Sequence, residues 1–213
     1  MNDRQAAVLC TNVMKWTVVF VLVCSGCACT KGDSFASRPA CGDTSSDEFF
    51  FPAGSLGSPA GSEDDAFRRR LYSESLRAMS EPSLSCKEPT GEVYRFLRVN
   101  GKGSSVRVAE HEGVVSLSGV DLPSPLYPHE IVETRRVEKS LTAGQWATVL
   151  EAVKAIEFWS MPSRDPEGSG ADGEEWIIEG RRGRRYHAVN RWSPRGGPIQ
   201  RWLNLRNWAG FTP

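Results

Sequence analysis

The residues best suited to acid–base chemistry are one histidine and two carboxylates that precede it in the sequence. His187 follows Asp172 and Glu179, and a histidine within reach of a carboxylate is a common arrangement for general acid–base catalysis. An exported hydrolase that uses His187 with Asp172 or Glu179 is therefore one hypothesis. A histidine on a strand is equally well accommodated in a core by one hydrogen bond, and the sequence favours this structural interpretation.

Other motifs that carry chemistry are incomplete in this chain. The histidines are His111, His129 and His187, each in a different predicted element and without the spacing of a zinc-binding helix. The Gly-x-Ser-x-Gly pattern that presents a serine nucleophile does not occur. The sequence therefore predicts no metal site and no cofactor, and it favours a non-enzymatic domain over an enzyme.

A short export signal precedes a cysteine near the N-terminus. Lys15 is followed by the apolar run at residues 16–23 and then by small residues, a pattern typical of a secretory signal peptide. Ser25-Gly26-Cys27 is typical of the end of a bacterial lipobox, in which the cysteine thiol receives a lipid. We expect residues 1–26 to contain a signal peptide whose true start is Met14, and Cys27 to be lipidated.

Two alternatives to a lipid anchor follow from the same segment. Simple cleavage and secretion is one, and a membrane-spanning helix is the other, although the run is far shorter than the roughly 20 apolar residues that a span needs. Ala28 follows the cysteine where an aspartate would favour retention in the inner membrane. We therefore expect outer-membrane placement facing the periplasm, if the host has an outer membrane.

The chain after Cys27 changes composition near residue 61. Residues 27–61 are rich in small and polar side chains and predict a lipidated, flexible tether, whereas residues 62–213 predict a single folded domain. The Phe49-Phe50-Phe51 cluster leaves an alternative, in which this part of the tether docks on the domain or on a partner. Cys29, Cys41 and Cys86 remain after the signal, so they allow one disulfide at most.

Arginines are concentrated at the C-terminal end of a chain whose formal net charge is zero. Residues 181–213 contain eight arginines and no acidic residue. These arginines either pair with the acidic half of the fold or bind anions such as lipid head groups. Arg191, Arg195 and Trp192 are candidates to face a ligand. We expect a membrane, and an envelope protein or a glycan, as partners, and no nucleic acid.

The periodicity of apolar residues predicts an α+β domain. Consecutive strands joined by short turns indicate a mainly antiparallel sheet of about six strands, with helices packed on one of its faces. Ser62 and the Thr142–Gln145 capping box mark two helix starts, and Pro198 marks a third. The predicted strands are residues 92–99, 104–110, 114–120, 131–137, 174–180 and 184–192.

The last two predicted strands form a hairpin across Arg182-Gly183. A two-residue loop there predicts that Glu174 faces Arg191, that Trp176 faces Val189 and that Glu179 faces Tyr186, and it pairs Ile178 with His187. In this arrangement His187, Trp176 and Ile178 share one face of the sheet. We expect Trp176 and Trp146 to belong to the core, and Trp192 and Trp208 to be more exposed.

Several segments together resemble an uncharacterised family of bacterial exported proteins and lipoproteins. They are LRAMSEPSL (76–84), YRFL (94–97), FWSMP (158–162), DGEEWIIEG (172–180) and YHAVNRWSP (186–194). The resemblance extends from about residue 70 to the end of the chain. It implies an exported α+β protein but no activity, and the family has an aspartate where this chain has Asn190.

Overall fold

A six-stranded antiparallel sheet organises the chain. A computed structural model describes residues 49–86, 91–99, 103–122, 134–165, 173–194, 199 and 207–210. The strand order is β4-β3-β2-β1-β5-β6, so the first four strands form a meander and the final hairpin adds to the free side of β1. The elements are α1 (Glu63–Ala78), β1 (Glu92–Val99), β2 (Gly103–His111), β3 (Val114–Asp121), β4 (Arg135–Leu141), α2 (Ala143–Ala155), a 3₁₀ turn (Phe158–Ser160), β5 (Glu175–Arg182) and β6 (Arg185–Trp192).

The predicted fold class is confirmed, but the helices occupy both faces of the sheet instead of one. On one face α1 packs through Tyr72 and Leu76 against Leu97 and Ile177. On the other face α2 packs through Val149 and Val153 against strand residues that include Phe96 and Trp176. Because side chains alternate along each strand, a central strand such as β1, apolar at successive positions, must be covered on both sides.

The folded domain begins before residue 62, so the predicted tether boundary is wrong. Phe51 and Leu56 are almost completely buried against α1 and the sheet. The Asp65 side chain, itself buried, accepts a hydrogen bond from the Gly54 N–H at 2.9 Å. The Phe50 N–H donates to Ser73 Oγ at 2.8 Å. Residues 50–61 therefore belong to the domain, as the alternative of a docked phenylalanine cluster predicted.

Two of the three predicted helix starts are confirmed by side-chain caps, and the third, at Pro198, lies outside the described residues. Ser62 Oγ accepts from the Asp65 N–H at the start of α1, and Thr142 forms the full capping box with Gln145 at the start of α2. β4 spans Arg135–Leu141 where a strand at 131–137 was predicted, so it ends four residues later and leads directly into that cap. β4 is an edge strand, exposed along most of its length. Its sequence is therefore mostly polar, as is typical of a loop.

The final hairpin forms with a pairing different from the predicted one. Arg182 pairs with Arg185 around the turn, which places Trp176 opposite Arg191 and Gly180 opposite His187. The predicted pairs are thus wrong, since each residue of β5 faces a residue two positions further along β6. A shift of two residues keeps every side chain on its face. His187, Trp176 and Ile178 therefore share a face, as predicted.

Candidate functional site

His187 is a half-buried residue held by a backbone carbonyl. Its ring lies edge-on to Phe158, with 5.1 Å between the ring centroids. Nε2 lies 2.9 Å from the Met161 carbonyl oxygen. Since a carbonyl only accepts, Nε2 carries the hydrogen and donates it. Burial lowers the pKa of His187 more than this hydrogen bond raises it, and nearby Arg185 and Arg191 lower it further. The ring is therefore neutral at neutral pH.

Glu179 lies on the opposite face of the sheet from His187. Gly180 is the residue that pairs with His187, and its neighbour Glu179 points the other way because side chains alternate along a strand. The Glu179 carboxylate is completely buried and accepts from Arg95 Nε at 2.8 Å. The structure therefore does not bring His187 and Glu179 together, and the second predicted partner, Asp172, lies outside the described residues.

The second oxygen of Glu179 is bound by a tyrosine. Tyr186 donates its hydroxyl to Oε1 at 2.8 Å. Burial, together with the neighbouring Glu179 charge, raises the pKa of Tyr186 well above its usual value. The phenol therefore stays protonated and remains a hydrogen-bond donor across the physiological pH range. With Arg95 on one oxygen and Tyr186 on the other, Glu179 is a fixed structural acceptor.

The ion pair of Arg95 and Glu179 extends across the sheet toward β3. Arg95 pairs in register with Arg107 on β2, and Arg107 pairs with Ser118 on β3. Glu81 lies over this row, 3.6 Å from Arg95 and 2.9 Å from Arg107 Nε, and it accepts from Ser118 Oγ at 3.2 Å. Two arginines and two glutamates thus balance one another, which a buried charged cluster requires.

Glu81 reaches the sheet because of the way α1 ends. The Glu81 N–H donates to the Leu76 carbonyl at 2.9 Å, and Ser80 adopts a left-handed backbone with φ of 55°. This is a Schellman-type helix end, in which the residue in the left-handed region is commonly glycine. The turn directs the Glu81 carboxylate back over β1 and β2, to within reach of both arginines.

Arg107 connects the buried cluster to an open groove on the same face of the sheet. The groove has a volume of about 320 Å³ and lies over β2, β3 and β4. Hydroxyl groups, one carboxylate and the quarter-exposed Arg107 guanidinium line it, so it offers donors and acceptors to a polar ligand. Its lining residues are Arg107, Ser116, Leu117, Ser118, Glu138, Lys139 and Ser140.

Sequence reasoning missed this groove, although part of its signal is visible. Ser116 and Ser118 alternate with the buried Val115 and Leu117 along β3, which indicates a polar face by its period of two. Whether this face stays open is decided by which strands α1 covers. The position of α1 is set by packing between distant parts of the chain, which a local pattern does not contain.

The predicted ligand-facing residues are only partly placed. Arg191 is half-buried, and its guanidinium donates to the Asn190 and Pro162 carbonyls at 2.7 and 2.8 Å. Trp192 is half-buried at the end of β6, and Arg195 lies outside the described residues. The predicted pair of Glu174 with Arg191 is replaced by one with Arg98, at 3.3 Å. Neither Arg191 nor Trp192 lines the groove.

The tryptophan predictions are confirmed for the core. Trp176 is 4% exposed and lies edge-on to Phe96, with 5.2 Å between the ring centroids. Trp146 is half-buried and packs against Tyr94, with 6.1 Å between the ring centroids. Trp208 is half-buried as well and packs against the cluster beneath α2. Tryptophans therefore supply much of the apolar contact between α2 and the sheet.

Three further observations bear on chemistry and location. Within the described ranges, no group of three or more histidine, cysteine or carboxylate side chains is placed to hold a metal ion. No helix in the same ranges is long and apolar enough to cross a membrane. Cys86 is half-buried and forms no disulfide with any described residue, while Cys27, Cys29 and Cys41 lie outside the described residues.

Comparison with known proteins adds no family assignment. No protein-family model matches the chain, and no curated protein matches it. Fold, burial and charge of the described residues are therefore the observations on which a function must be argued.

Proposed function

We propose that this protein is a membrane-anchored bacterial lipoprotein whose folded domain is a non-enzymatic binding module of the cell envelope. The apolar run followed by Ser25-Gly26-Cys27 supports export and lipid attachment. Ala28 after the modified cysteine supports placement in the outer membrane, facing the periplasm, in a host that has one. The lipid anchor would hold the domain, which begins by residue 50, at the membrane surface.

One observation supports a binding module over an enzyme: the two candidate catalytic residues, His187 and Glu179, lie on opposite faces of the sheet. His187 donates to a backbone carbonyl on the α2 side, while Glu179 is buried among Arg95 and Tyr186 on the α1 side. A general base needs the reacting proton and its orienting partner within hydrogen-bond reach. Both residues are instead used to stabilise the fold.

The groove beside Arg107 is the surface that we assign to the ligand. It is open and has polar groups on three adjacent strands. Glu81 holds the Arg107 guanidinium from the buried side, so this donor is oriented before a ligand arrives, which reduces the entropy lost on binding. Hydroxyls beside a guanidinium and a carboxylate match the polar groups of a glycan or of an extended peptide in an envelope protein.

Site-specific crosslinking in intact cells tests this assignment. The photoreactive residue benzoylphenylalanine is placed at Ser116, which is exposed and lines the groove. The matched control carries it at Phe67, which is 63% exposed on α1. We expect irradiation to give one discrete crosslinked species from position 116 that is absent from position 67.

Identical products from both positions, or none from position 116, would contradict a ligand at the groove. A second measurement addresses the enzyme alternative. His187→Gln removes the imidazole, and we expect a strain carrying it to show the wild-type envelope phenotype when the protein level is unchanged. A deletion-like phenotype at normal protein level would favour the hydrolase hypothesis.

A further inference from the structure

The hairpin between β5 and β6 ends in a group of exposed arginines. Arg182 and Arg185 pair across the turn, and Arg184 lies at its apex. Gly183, the first turn residue, has φ of 55°, a conformation that glycine adopts without strain. All three arginines are exposed. We refer to Arg182, Arg184 and Arg185 as the arginine tip.

The arginine tip is built on a rigid base. Arg181, directly before it, is 3% exposed and donates to the Leu84 and Ser85 carbonyls at 2.9 and 2.7 Å. This buried arginine fixes the hairpin to the segment that follows α1. The arginines of the tip therefore project from a position that the core determines.

Trp159 lies against two of these guanidinium groups. Arg182 and Arg185 lie over its ring, with their guanidinium carbons 5.5 and 4.9 Å from the ring centroid. Arg185 also donates to the Trp159 carbonyl at 3.0 Å, and the indole N–H donates to the Tyr94 hydroxyl at 3.3 Å. Positive charge and an aromatic ring are thus held together on one surface.

Few carboxylates neutralise this charge. Glu92 lies 3.9 Å from Arg182, whose side chain remains 56% exposed. Among the described residues, no carboxylate lies within ion-pair distance of Arg184 or Arg185. Glu110 and Glu112 are at the same end of the sheet but belong to the β2–β3 hairpin, on the other side of β1. The positive surface is therefore on the β6 side.

We propose that the arginine tip, with Trp159, docks on an anionic phospholipid surface. Guanidinium groups bind lipid phosphates in bidentate fashion, and indole rings favour the region of the head groups. This inference rests on the proposed function in one respect: the lipid anchor is what brings the domain to a membrane. Residues 27 and 49 are 22 positions apart, which limits their separation to about 75 Å.

Vesicle co-sedimentation tests the proposal without the anchor. The protein is the chain from residue 27 onward with Cys27→Ser, which retains every described residue and carries no lipid. The probes are vesicles of phosphatidylcholine alone and vesicles that contain one third phosphatidylglycerol. We expect binding to the anionic vesicles only, weakened by salt because the Debye length shortens.

Two triple variants localise the contact. Replacing Arg182, Arg184 and Arg185 by glutamine should reduce binding to anionic vesicles about a hundredfold, since each basic side chain near such a surface contributes about fivefold. The control replaces three exposed basic residues on the helices, Arg70, Arg77 and Lys154, by glutamine. This control variant removes the same number of positive charges, and we expect its binding to anionic vesicles to fall less than threefold.

Several outcomes would overturn the proposal. Equal losses in both triple variants would mean that net charge alone acts, and equal binding to both vesicle types would mean that anionic lipid is not recognised. If wild type binds immobilised heparin through the tip but not anionic vesicles, the partner is a polyanionic glycan instead of a membrane. Because none of these measurements uses Cys27, they can fail while the proposed anchor holds.

Discussion

The buried pair of Arg95 and Glu179 shows how a charged residue functions as part of a core. Both side chains are completely inaccessible, and the Glu179 oxygens bind Arg95 and Tyr186. Removing charges from water costs several kcal/mol, which the mutual attraction offsets only with well-placed hydrogen bonds. The pair is therefore sensitive to the loss of either member.

Glu179→Gln should accordingly destabilise the domain strongly. The amide keeps the shape of the side chain but removes the closer negative charge, so that the carboxylate left beside Arg95 is Glu81, at 3.6 Å. We expect the free energy of unfolding to fall by about 3–5 kcal/mol, as for other broken buried pairs. The control is Glu174→Gln, which removes the partly exposed pair with Arg98 and should cost about 1 kcal/mol or less. Denaturant titration measures both, and similar losses would refute this description of the cluster.

His187 predicts a pH dependence of stability. Its pKa is lower in the folded domain than in the unfolded chain, so below about pH 6.5 the unfolded chain binds a proton that the folded one does not. The stabilisation is complete above that pH and is lost as the pH falls. His187→Gln should flatten the decline in unfolding free energy that wild type shows as the pH falls below about 6.5. Parallel pH profiles for wild type and His187→Gln would contradict the assignment.

At the scale of elements, local sequence determines where segments start and which face they bury. The capping roles of Ser62 and Thr142 are predictable from the sequence because their hydrogen bonds are local. That His187 and Trp176 share a face is predictable from the sequence because side chains alternate along a strand. The pairing register of the hairpin could not be predicted from local sequence. It depends on which two residues form the turn, and Arg182, Gly183 and Arg184 allow more than one choice.

Segment 50–61 is the element that composition described incorrectly. It is rich in glycine, serine and proline, yet Phe51 and Leu56 fill the space between α1 and the sheet. A chain that begins at residue 62 should therefore be less stable than one that begins at residue 47 by at least 3 kcal/mol, since truncating one buried phenylalanine costs about 3–5 kcal/mol.

Thermal melting of the two truncated chains measures this difference. Phe67→Ala in the longer chain is the control, because Phe67 is 63% exposed and its loss should change the melting temperature little. Equal melting temperatures for the two chains would show that residues 47–61 contribute nothing to the fold.

At the scale of the whole molecule, the sequence predicted the architecture better than the site. Six strands and two capped helices follow from periodicity. The groove and the buried cluster arise from contacts between Glu81, Arg95, Arg107 and Glu179. These residues are separated by up to 98 positions in the chain. No local pattern indicates such contacts, and proximity in the sequence alone suggests His187 and Glu179 as partners.

We propose that this domain works at a membrane, held there by a lipid on Cys27. Metabolic labelling with an alkyne analogue of palmitate tests it most directly, comparing wild type with Cys27→Ser and with Cys29→Ser, which removes a cysteine only two positions away. We expect label on wild type and on Cys29→Ser, and none on Cys27→Ser. Equal labelling of wild type and Cys27→Ser, or no labelling of wild type, would contradict the claim.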